Sequence, residues 1–321
     1  TNDKITFIQS NLFKKIEKTF DTIIFNPPYL PNNPKLKDLT LDGGKKGYEI
    51  IEKFLNQVNK HLNVNGTILL LFSSLTNKEK IDQIIEKNLL DLKVLSKKHI
   101  FFEDLFVYAI KKSNILKKLE EERVKDLKYF TKGHRGFLFK AKFKNKDVVI
   151  KIKNPKSKAE NRIQNEIKHL KILNKHRIGP QVVFYRNSYF AYTFIKGLFV
   201  IDYIKENSKK KIKKIIIKTV NQLFVIDRLK INKEEMHHPY KHILIKNDKP
   251  ILIDFERCHA TKKPHNVTQF CQFVTSKDIL SVLEKKKMKI DKTEMIEKAK
   301  LYKQCQDKDN LNKIIKLIKD A

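Results

Sequence analysis

An Asn-Pro-Pro-Tyr tetrapeptide, which runs from Asn26 to Tyr29, directly follows the short apolar run of residues 22–25. The Asn26 side-chain oxygen and the Pro27 carbonyl are acceptors that can hold both protons of one planar NH2 group. With both protons held, the nitrogen lone pair faces a methyl donor, and the Tyr29 ring can stack on the flat amide or base. The tetrapeptide therefore predicts methyl transfer to a planar amino group. The alternative is a proline-rich turn that only ends a strand.

Two glycines and a lysine form a second chemical pattern further along the chain. Gly133 and Gly136 interrupt an alternating apolar stretch, as a β-hairpin turn does. Lys151 lies in the middle of the apolar run of residues 148–152, where burial of its charge is costly unless an anion pairs with it. Glycines let a backbone approach phosphate groups closely, and a strand lysine can grip them, so the pattern predicts a site for ATP phosphates.

A predicted helix over residues 159–174 carries the acids that can balance Lys151. Glu160 and Glu166 are its only acids, and either can form the ion pair. Glu166 is favoured because it begins the segment of the helix that faces the core. Strand, glycine turn, strand lysine and helix glutamate follow in the order in which protein kinases handle phosphates.

The elements that must position the tetrapeptide alternate between helix and strand patterns. Apolar residues recur at helical spacing over residues 48–62, residues 67–72 are continuously apolar, and residues 81–90 predict another helix. A closing pair of strands is expected over residues 101–110. Alternating strands and helices indicate a parallel α/β sheet, in which loops at the carboxyl ends of the strands carry the chemistry.

Over about residues 4–112 the sequence resembles class I S-adenosylmethionine-dependent amino methyltransferases, whose catalytic loop looks like Asn26-Pro27-Pro28-Tyr29-Leu30-Pro31. The pieces that match the branch acting on the glutamine of peptide release factors are Asn11-Leu12-Phe13, Asp42-Gly43-Gly44 with Gly47, Leu62 to Gly66, Ser73-Ser74-Leu75-Thr76 and Phe101 to Phe106. The resemblance implies a Rossmann-like fold, S-adenosylmethionine as cofactor and a peptide chain release factor as methyl acceptor. It also implies that Asn26, Pro27 and Tyr29 are catalytic and that Asn11 binds the cofactor near its adenine ring.

One part of the family's pattern is not found before Asn11. The family's glycine-rich cofactor loop and the acidic residue for the ribose would precede this position. Asn11 itself stands where the family usually has aspartate. We therefore expect a partial Rossmann-like methyltransferase domain that binds S-adenosylmethionine only with its missing N-terminal half, which either another chain supplies or truncation has removed.

The second part, over about residues 127–275, resembles small archaeal RIO-like serine/threonine protein kinases. Besides the glycine and lysine pattern, the matching pieces are Ile178-Gly179-Pro180, Pro239-Tyr240-Lys241-His242 and Asp254-Phe255-Glu256. The resemblance implies an α+β two-lobed protein-kinase-like domain that uses ATP and Mg²⁺. Gly133, Gly136, Lys151 and Glu166 would form the ATP site, with the adenine under the connector of residues 192–197.

The resemblance also assigns the catalytic and metal-binding positions. Asp254 would hold Mg²⁺, with Glu256 replacing the glycine of the Asp-Phe-Gly element. Glu235 falls where the family has its acidic catalytic residue, and a glutamate can accept a hydroxyl proton. Lys241 and His242 occupy the place of the asparagine that takes a second metal, so His242 is the second candidate metal ligand. The protein that would accept the phosphate is unknown.

Positive charge is concentrated in the second part of the chain. The 321 residues carry a formal net charge of +33; residues 1–112 hold 18 Lys and Arg against 13 Asp and Glu, and the remainder holds 51 against 23. We therefore place a partial methyltransferase domain at residues 1–112, a linker at 113–126 and a kinase domain with C-terminal helices at 127–321. Such a basic region is typical of RNA or ribosome contact, although lysines that only fill exposed positions give the same counts.

The remaining composition excludes several classes of protein. Three cysteines, none of them in a C-x-x-C pair, disfavour a disulfide scaffold and a four-cysteine zinc site. No apolar run reaches the length of about 18 residues that a membrane helix needs, so we expect a cytoplasmic protein without a membrane partner.

Two functional hypotheses follow. The first is a transferase that fuses a partial release-factor-type methyltransferase to an atypical ATP-dependent serine/threonine kinase. The second is a degenerate pseudoenzyme that serves as a basic RNA- or ribosome-binding scaffold.

Overall fold

The computed structural model describes residues 5–32, 38–132, 136–153 and 162–321. The chain divides into two compact units, Thr1–Tyr129 and Phe130–Ala321. No helix in these described ranges is long and apolar enough to cross a membrane.

The first unit is a mixed α/β domain. Its elements are β1 (Phe20–Phe25), β2 (Leu30–Pro31), β3 (Asp42–Gly44), α1 (Glu49–Val58), β4 (Leu62–Ser73), α2 (Lys78–Lys87), β5 (Leu90–Ile100), β6 (Glu103–Lys112) and α3 (Asn114–Glu121). The main sheet has the order β1-β4-β6-β5, and β2 pairs with β3 separately. The apolar residues of α1 and α2, such as Ile51 and Ile81, are fully buried, as their helical spacing predicted.

The main sheet is mixed rather than wholly parallel. β1 runs parallel to β4, whereas β6 is antiparallel to both β4 and β5. The expectation of a parallel sheet is therefore correct only for the first pair of strands. The reason lies in the connections, because β5 and β6 are joined through Phe101 and Phe102 alone, and so short a loop permits only antiparallel pairing.

Residues 113–126, expected to be a linker, contain helix α3 and the start of the next strand, β7 (Lys125–Lys132). The Ser113 hydroxyl accepts a hydrogen bond from the Leu116 amide at 3.2 Å and caps the helix. Leu116 and Leu119 are 3% and 1% exposed. Lys112 pairs with Glu120 at 2.7 Å. The dense charge of this stretch belongs to the solvent-facing side of an amphipathic helix, which is why composition alone suggested a linker.

The second unit continues with a five-stranded sheet and then a mainly helical region. Its elements are β7 (Lys125–Lys132, which begins before the unit boundary), β8 (Gly136–Phe143), β9 (Lys146–Lys153), α4 (Arg162–Lys175), β10 (Val182–Tyr185), β11 (Tyr189–Thr193), β12 (Leu198–Phe199), α5 (Val200–Glu206), α6 (Lys209–Arg228), β13 (Ile231–Asn232), β14 (Ile243–Lys246), β15 (Lys249–Leu252), β16 (His259–Ala260), α7 (Asn266–Val274), α8 (Lys277–Lys285), α9 (Lys292–Gln304) and α10 (Lys308–Asp320). The sheet order is β10-β11-β9-β8-β7, and two small sheets, β12-β14-β15 and β13-β16, lie in the helical region.

A tight turn joins β8 to β9. Lys146 and Asp147 at the start of β9 pair with Phe143 and Lys142 at the end of β8. Lys144 and Asn145 make the turn, with positive φ angles of 48° and 60°. Asparagine tolerates this left-handed region better than most residues, and it is the signal that the sequence offered.

Candidate active sites

The Asn-Pro-Pro-Tyr loop lies at the carboxyl end of β1, the edge of a parallel strand pair where ligands usually bind. Pro27 is buried, Tyr29 is half-buried and Asn26 is exposed. The Leu30 amide donates to the Leu41 carbonyl at 2.9 Å, which anchors the end of the loop. The loop thus presents the Asn26 side chain to solvent on a backbone that is tied down behind it.

Two glycines of the Asp42-to-Gly47 segment pack against this loop. A Cβ atom on Gly43 would lie 2.7 Å from the Pro28 carbonyl oxygen and 2.8 Å from Tyr29 Cα. Gly47 has a φ of +85°, and a Cβ there would lie 2.5 Å from the Tyr29 carbonyl oxygen. Both positions therefore require glycine, because any side chain would push the Asn-Pro-Pro-Tyr loop out of place.

The segment that follows β4 holds the loop from another direction. The Thr76 hydroxyl, which is fully buried, donates to the Tyr29 carbonyl at 2.8 Å. The neighbouring Ser74 hydroxyl accepts from the Asp104 amide at 3.0 Å. Residues 73–76, the Ser-Ser-Leu-Thr segment of the sequence, thus hold the backbone of the Asn-Pro-Pro-Tyr loop and connect that loop to the start of β6.

Glu103 is an acid near Tyr29 to which the sequence assigned no role. Its Oε2 atom is buried and has no hydrogen-bond partner among the described residues. Burial raises the pKa of Tyr29, and the negative charge of Glu103 raises it further. Tyr29 is therefore held as a neutral phenol, a form suited to stacking. The only signal in the sequence was the position of Glu103 in the matching Phe101-to-Phe106 piece.

Asn11 lies in a turn ahead of β1, and its side chain is exposed. The Lys14 amide donates to the Asn11 carbonyl at 3.2 Å. The next aromatic residue, Phe13, stacks on His61 with a centroid distance of 4.3 Å and on Phe54 at 5.4 Å. The turn that carries Asn11 is therefore fixed to α1 and to the segment before β4.

In the second unit, Lys151 on β9 meets three acids. Its Nζ atom lies 2.7 Å from Glu166 Oε2, 3.2 Å from Glu256 Oε2 and 3.8 Å from Asp254 Oδ1. The Lys151–Glu166 ion pair favoured from the sequence is present, with both side chains largely buried. Glu160, the alternative partner, lies outside the described residues.

Of the two glycines in the predicted phosphate-binding turn, one lies among the described residues. Gly133 lies outside the described residues. Gly136 begins β8 opposite Lys153 on β9, and a Cβ on it would lie 2.6 Å from the Ile152 carbonyl oxygen. Glycine at position 136 thus permits close pairing of β8 with β9, the strand that carries Lys151.

Charge and burial oppose each other around Lys151. Burial alone would lower the pKa of Lys151, but the charges of Glu166, Asp254 and Glu256 raise it above its usual value. Burial raises the pKa of Glu166 against the opposing charge of Lys151. The pKa of Asp254 is lowered despite burial, because Lys151 and Lys233 are close. The site therefore holds an ammonium beside an ionised Asp254, the charge state that binding of a metal–phosphate ligand requires.

Lys233 is a functional candidate that the sequence analysis missed. It is 1% exposed, and its ammonium donates to the backbone carbonyl of Asp254. Asp254 has a φ of +62°, a left-handed conformation that is costly for a non-glycine residue. Glu166 supports the same turn by accepting from the Phe255 amide at 3.2 Å. Nothing in the sequence distinguished Lys233 from the many exposed lysines of the chain.

The acids that can hold a metal differ in part from those expected. Oxygen atoms of Glu166, Asp254 and Glu256 all lie within 4.8 Å of one another. Carboxylate oxygens are the ligands that Mg²⁺ prefers, so this donor set fits the ion that the kinase resemblance implies. His242 is absent from the cation-holding groups formed by the described residues, and its Nε2 atom instead lies 3.0 Å from Glu235 Oε2. His242 is therefore a partner of Glu235 in the folded chain, and its role as a second metal ligand stays a prediction.

Glu235, the expected catalytic acid, is paired on both oxygens. His242 contacts one oxygen and the Arg257 guanidinium donates to the other. Burial lowers the pKa of His242, and the nearby charge of Lys233 lowers it further, so a neutral imidazole faces Glu235. Each Glu235 oxygen keeps a further lone pair that can accept a proton. Arg257 was not recognised from the sequence, since it lies outside every quoted motif.

Comparison with known proteins gives a family match within the first unit. Residues 1–102 match the family model of the methyltransferase small domain. A putative protein N5-glutamine methyltransferase of Methanocaldococcus jannaschii is 32% identical over 111 residues, which are 33% of this chain and 56% of that protein. A release factor glutamine methyltransferase of Borreliella burgdorferi is 36% identical over 100 residues, covering 28% of this chain and 35% of that protein. The chain thus spans about half the length of the first relative and less of the second.

Two solved structures each overlap part of the chain. The E. cuniculi Mtq2–Trm112 complex, responsible for methylation of the eRF1 translation termination factor, covers 33% of this chain and 60% of its own at 23% identity, with a TM-score of 0.28. The autoinhibited serine kinase domain of titin covers 45% of this chain and 48% of its own at 16% identity, with a TM-score of 0.39.

Proposed function

We propose that the first unit is the catalytic part of an N5-glutamine methyltransferase that acts on a peptide release factor with S-adenosylmethionine. The observation that carries this proposal is the loop at the end of β1, where an exposed Asn26 follows a strand and Gly43, Gly47 and Thr76 fix the backbone behind it. The relatives named above as N5-glutamine or release factor glutamine methyltransferases support the choice of substrate.

The residues of the loop account for the chemistry. The Asn26 side-chain oxygen and the Pro27 carbonyl accept the two protons of the glutamine side-chain amide. Tyr29, neutral because burial and Glu103 raise its pKa, stacks on the amide plane. The bound cofactor supplies a methyl group on a sulfonium sulfur. Transfer of that methyl group to the amide nitrogen would break its bond to sulfur, and the nitrogen would lose one proton to water.

The open edge of β1 supports a cofactor site that is completed by further strands. β1 is an edge strand of the described sheet. Ile24 on β1 is 76% exposed, and Phe7 in the segment before it is 93% exposed. Apolar side chains beside an unpaired strand edge are typical of a surface that another strand covers. We propose that such strands, in this chain or another, carry the glycine-rich cofactor loop.

The test is methylation of a release factor. The full chain is incubated with S-adenosylmethionine and the release factor, alone and with a separately encoded chain that carries a glycine-rich cofactor loop, and the modified glutamine is located by mass spectrometry. Asn26→Ala should abolish the signal, whereas Asn221→Ala, on an exposed face of α6, should leave it unchanged. Absence of methylated glutamine in both mixtures would overturn the proposal.

For the second unit we infer ATP binding and phosphoryl transfer to a serine or threonine of a protein. The observation that favours it is the buried Lys151–Glu166 pair beside Asp254. Lys151 would hold the α- and β-phosphates, and Asp254 with Glu256 would hold Mg²⁺. Glu235 would accept the proton of the attacking hydroxyl. The hydroxyl oxygen would form a bond to the γ-phosphorus, and the bond from that phosphorus to the β-phosphate oxygen would break.

Calorimetric titration with Mg²⁺-ATP tests this second function directly. Lys151→Ala and Asp254→Ala should each lose binding, while Lys142→Ala, exposed on β8, should keep it. Autophosphorylation with labelled ATP then tests the transfer. Wild-type chain that neither binds ATP nor becomes labelled, but binds RNA, would favour the basic scaffold instead.

A further inference from the structure

A groove of about 480 Å³ lies in the second unit between helices α7 and α9. One of its lining residues is His237, which belongs to the same loop as Glu235 and follows it by two positions. The same α7 face holds that loop, because the Gln269 side-chain oxygen accepts from the Met236 amide at 3.1 Å. The groove therefore adjoins the candidate catalytic loop without including the acids around Lys151.

Four apolar residues, contributed by both helices, form part of the groove lining beside threonine and glutamine side chains. Cys271 of α7 is 3% exposed and Met295 of α9 is 1% exposed, and the small Ala299 lies one helical turn after Met295. Ile296, at the side of the groove, is 41% exposed. An apolar surface with an exposed isoleucine beside it is suited to one inserted apolar side chain.

The rim of the groove is positively charged. Lys300 and Lys303 on α9 are exposed, and both line the groove together with Ala299 of the same helix. Within the described part of the chain, no aspartate or glutamate lines the groove. His265, at the start of α7, also lines it, and its Nδ1 atom is buried without a hydrogen-bond partner among the described residues. The rim is complementary to carboxylates.

We propose that this groove docks a short acidic peptide segment of a protein partner. One apolar side chain of the segment packs on Met295 and Ala299, and flanking carboxylates pair with Lys300 and Lys303. A peptide fits better than RNA because the described lining contains no phenylalanine, tyrosine or tryptophan on which bases could stack. The docking is independent of phosphoryl transfer and can be measured without it.

Fluorescence anisotropy of the full chain with a labelled peptide, a leucine flanked on each side by two glutamates, tests the proposal at about 0.15 M salt. A peptide with alanine in place of the leucine, and one with lysines in place of the glutamates, are the matched probes. Both should bind at least about tenfold more weakly, because each loses one of the two kinds of contact. Equal binding of the leucine and alanine peptides would overturn the apolar part of the site and with it the proposal.

Variants separate the groove from the general positive charge of the protein. Lys300→Glu with Lys303→Glu should weaken binding about tenfold or more, and Lys308→Glu with Lys316→Glu, an exposed pair on α10, should not. Ala299→Phe, which fills the groove without a charge change, should also block binding, and thermal melts confirm that each variant folds. Equal losses from both charge-reversed pairs, or displacement of the peptide by a single-stranded RNA with the same dependence on Lys300 and Lys303, would overturn a peptide-specific site.

Discussion

The buried ammonium of Lys233 donates to the backbone carbonyl of Asp254, a residue held at a φ of +62°. The same ammonium lies 4.8 Å from the centre of the Phe255 ring. Burial lowers the pKa of Lys233. Lys233 thus supports the turn that aims the Asp254 carboxylate at Lys151, and its charge also helps to keep that carboxylate ionised.

Replacing Lys233 should change the pH dependence of Mg²⁺-ATP binding. The pKa of Asp254 lies below its usual value, so binding that needs the carboxylate is present at neutral pH and is lost as the pH falls through that lowered pKa. Lys233→Met removes one of the cations that lower it, so the loss should begin at a higher pH. Calorimetric titration over a series of pH values measures the shift, with the exposed Lys246→Met as control. Identical profiles for Lys233→Met and wild type would contradict this role.

Alanine at Gly43 or Gly47 should disable the methyltransferase loop. The new Cβ would lie 2.7 Å from the Pro28 carbonyl oxygen in one case and 2.5 Å from the Tyr29 carbonyl oxygen in the other. At Gly47 the positive φ adds backbone strain of about 1–3 kcal/mol. We expect loss of release factor methylation and a lower free energy of unfolding, measured in urea. Lys45→Ala, exposed in the same segment, should change neither quantity.

His169 should make the second unit less stable in mild acid. It is 4% exposed on α4, its Nδ1 lies 2.8 Å from the Asn165 carbonyl, and burial lowers its pKa. In the unfolded chain the pKa returns to about 6.5, so the unfolded state takes up a proton first as the pH falls. The neutral His169 therefore contributes fully to stability above a pH of about 6.5. This contribution is lost as the pH falls from there through the lowered pKa of His169 in the folded protein.

Urea unfolding at several pH values tests this prediction. His169→Gln should flatten the dependence between neutral and mildly acidic pH, and the exposed His176→Gln should not. A slope that is the same in both variants and in wild type would assign the acid sensitivity to other groups.

Cys305 should be the thiol that reacts first in the folded protein. Burial raises the pKa values of Cys258 and Cys271 to about 12, so their thiols stay protonated and inaccessible. Cys305 is exposed, but its thiol donates to Asp307 Oδ2 at 2.9 Å, which raises its pKa. A maleimide should label one thiol in the native chain and three in urea.

The Asp307 carboxylate offers a control for this reactivity. Asp307→Asn keeps the cap on α10 and removes the charge, so labelling of Cys305 should become faster. Cys305→Ser should abolish the fast reaction. Rapid labelling of two or more thiols in the native chain would contradict the burial of Cys258 and Cys271.

The sequence by itself was sufficient where residue type and chain spacing define the chemistry. The Asn26-to-Tyr29 loop follows its strand directly, and Lys151 and Glu166 are carried by a strand and the next helix, so local patterns place them. The helix α3 within residues 113–126 was missed because charge counts do not show which face of a helix is exposed to solvent. The antiparallel direction of β5 and β6 was not predicted, because alternation of elements does not define strand direction.

Only the tertiary structure decided which distant residues complete each site. Lys233 and Asp254 are 21 positions apart, and Arg257 reaches Glu235 across 22. Gly43 and Gly47 are required by the backbone of a loop that precedes them in the chain. Such contacts depend on how strands and turns pack in space, and no periodicity in the sequence encodes them. For the same reason His242 could be assigned to a metal from its position in a motif, while the folded chain directs it to Glu235.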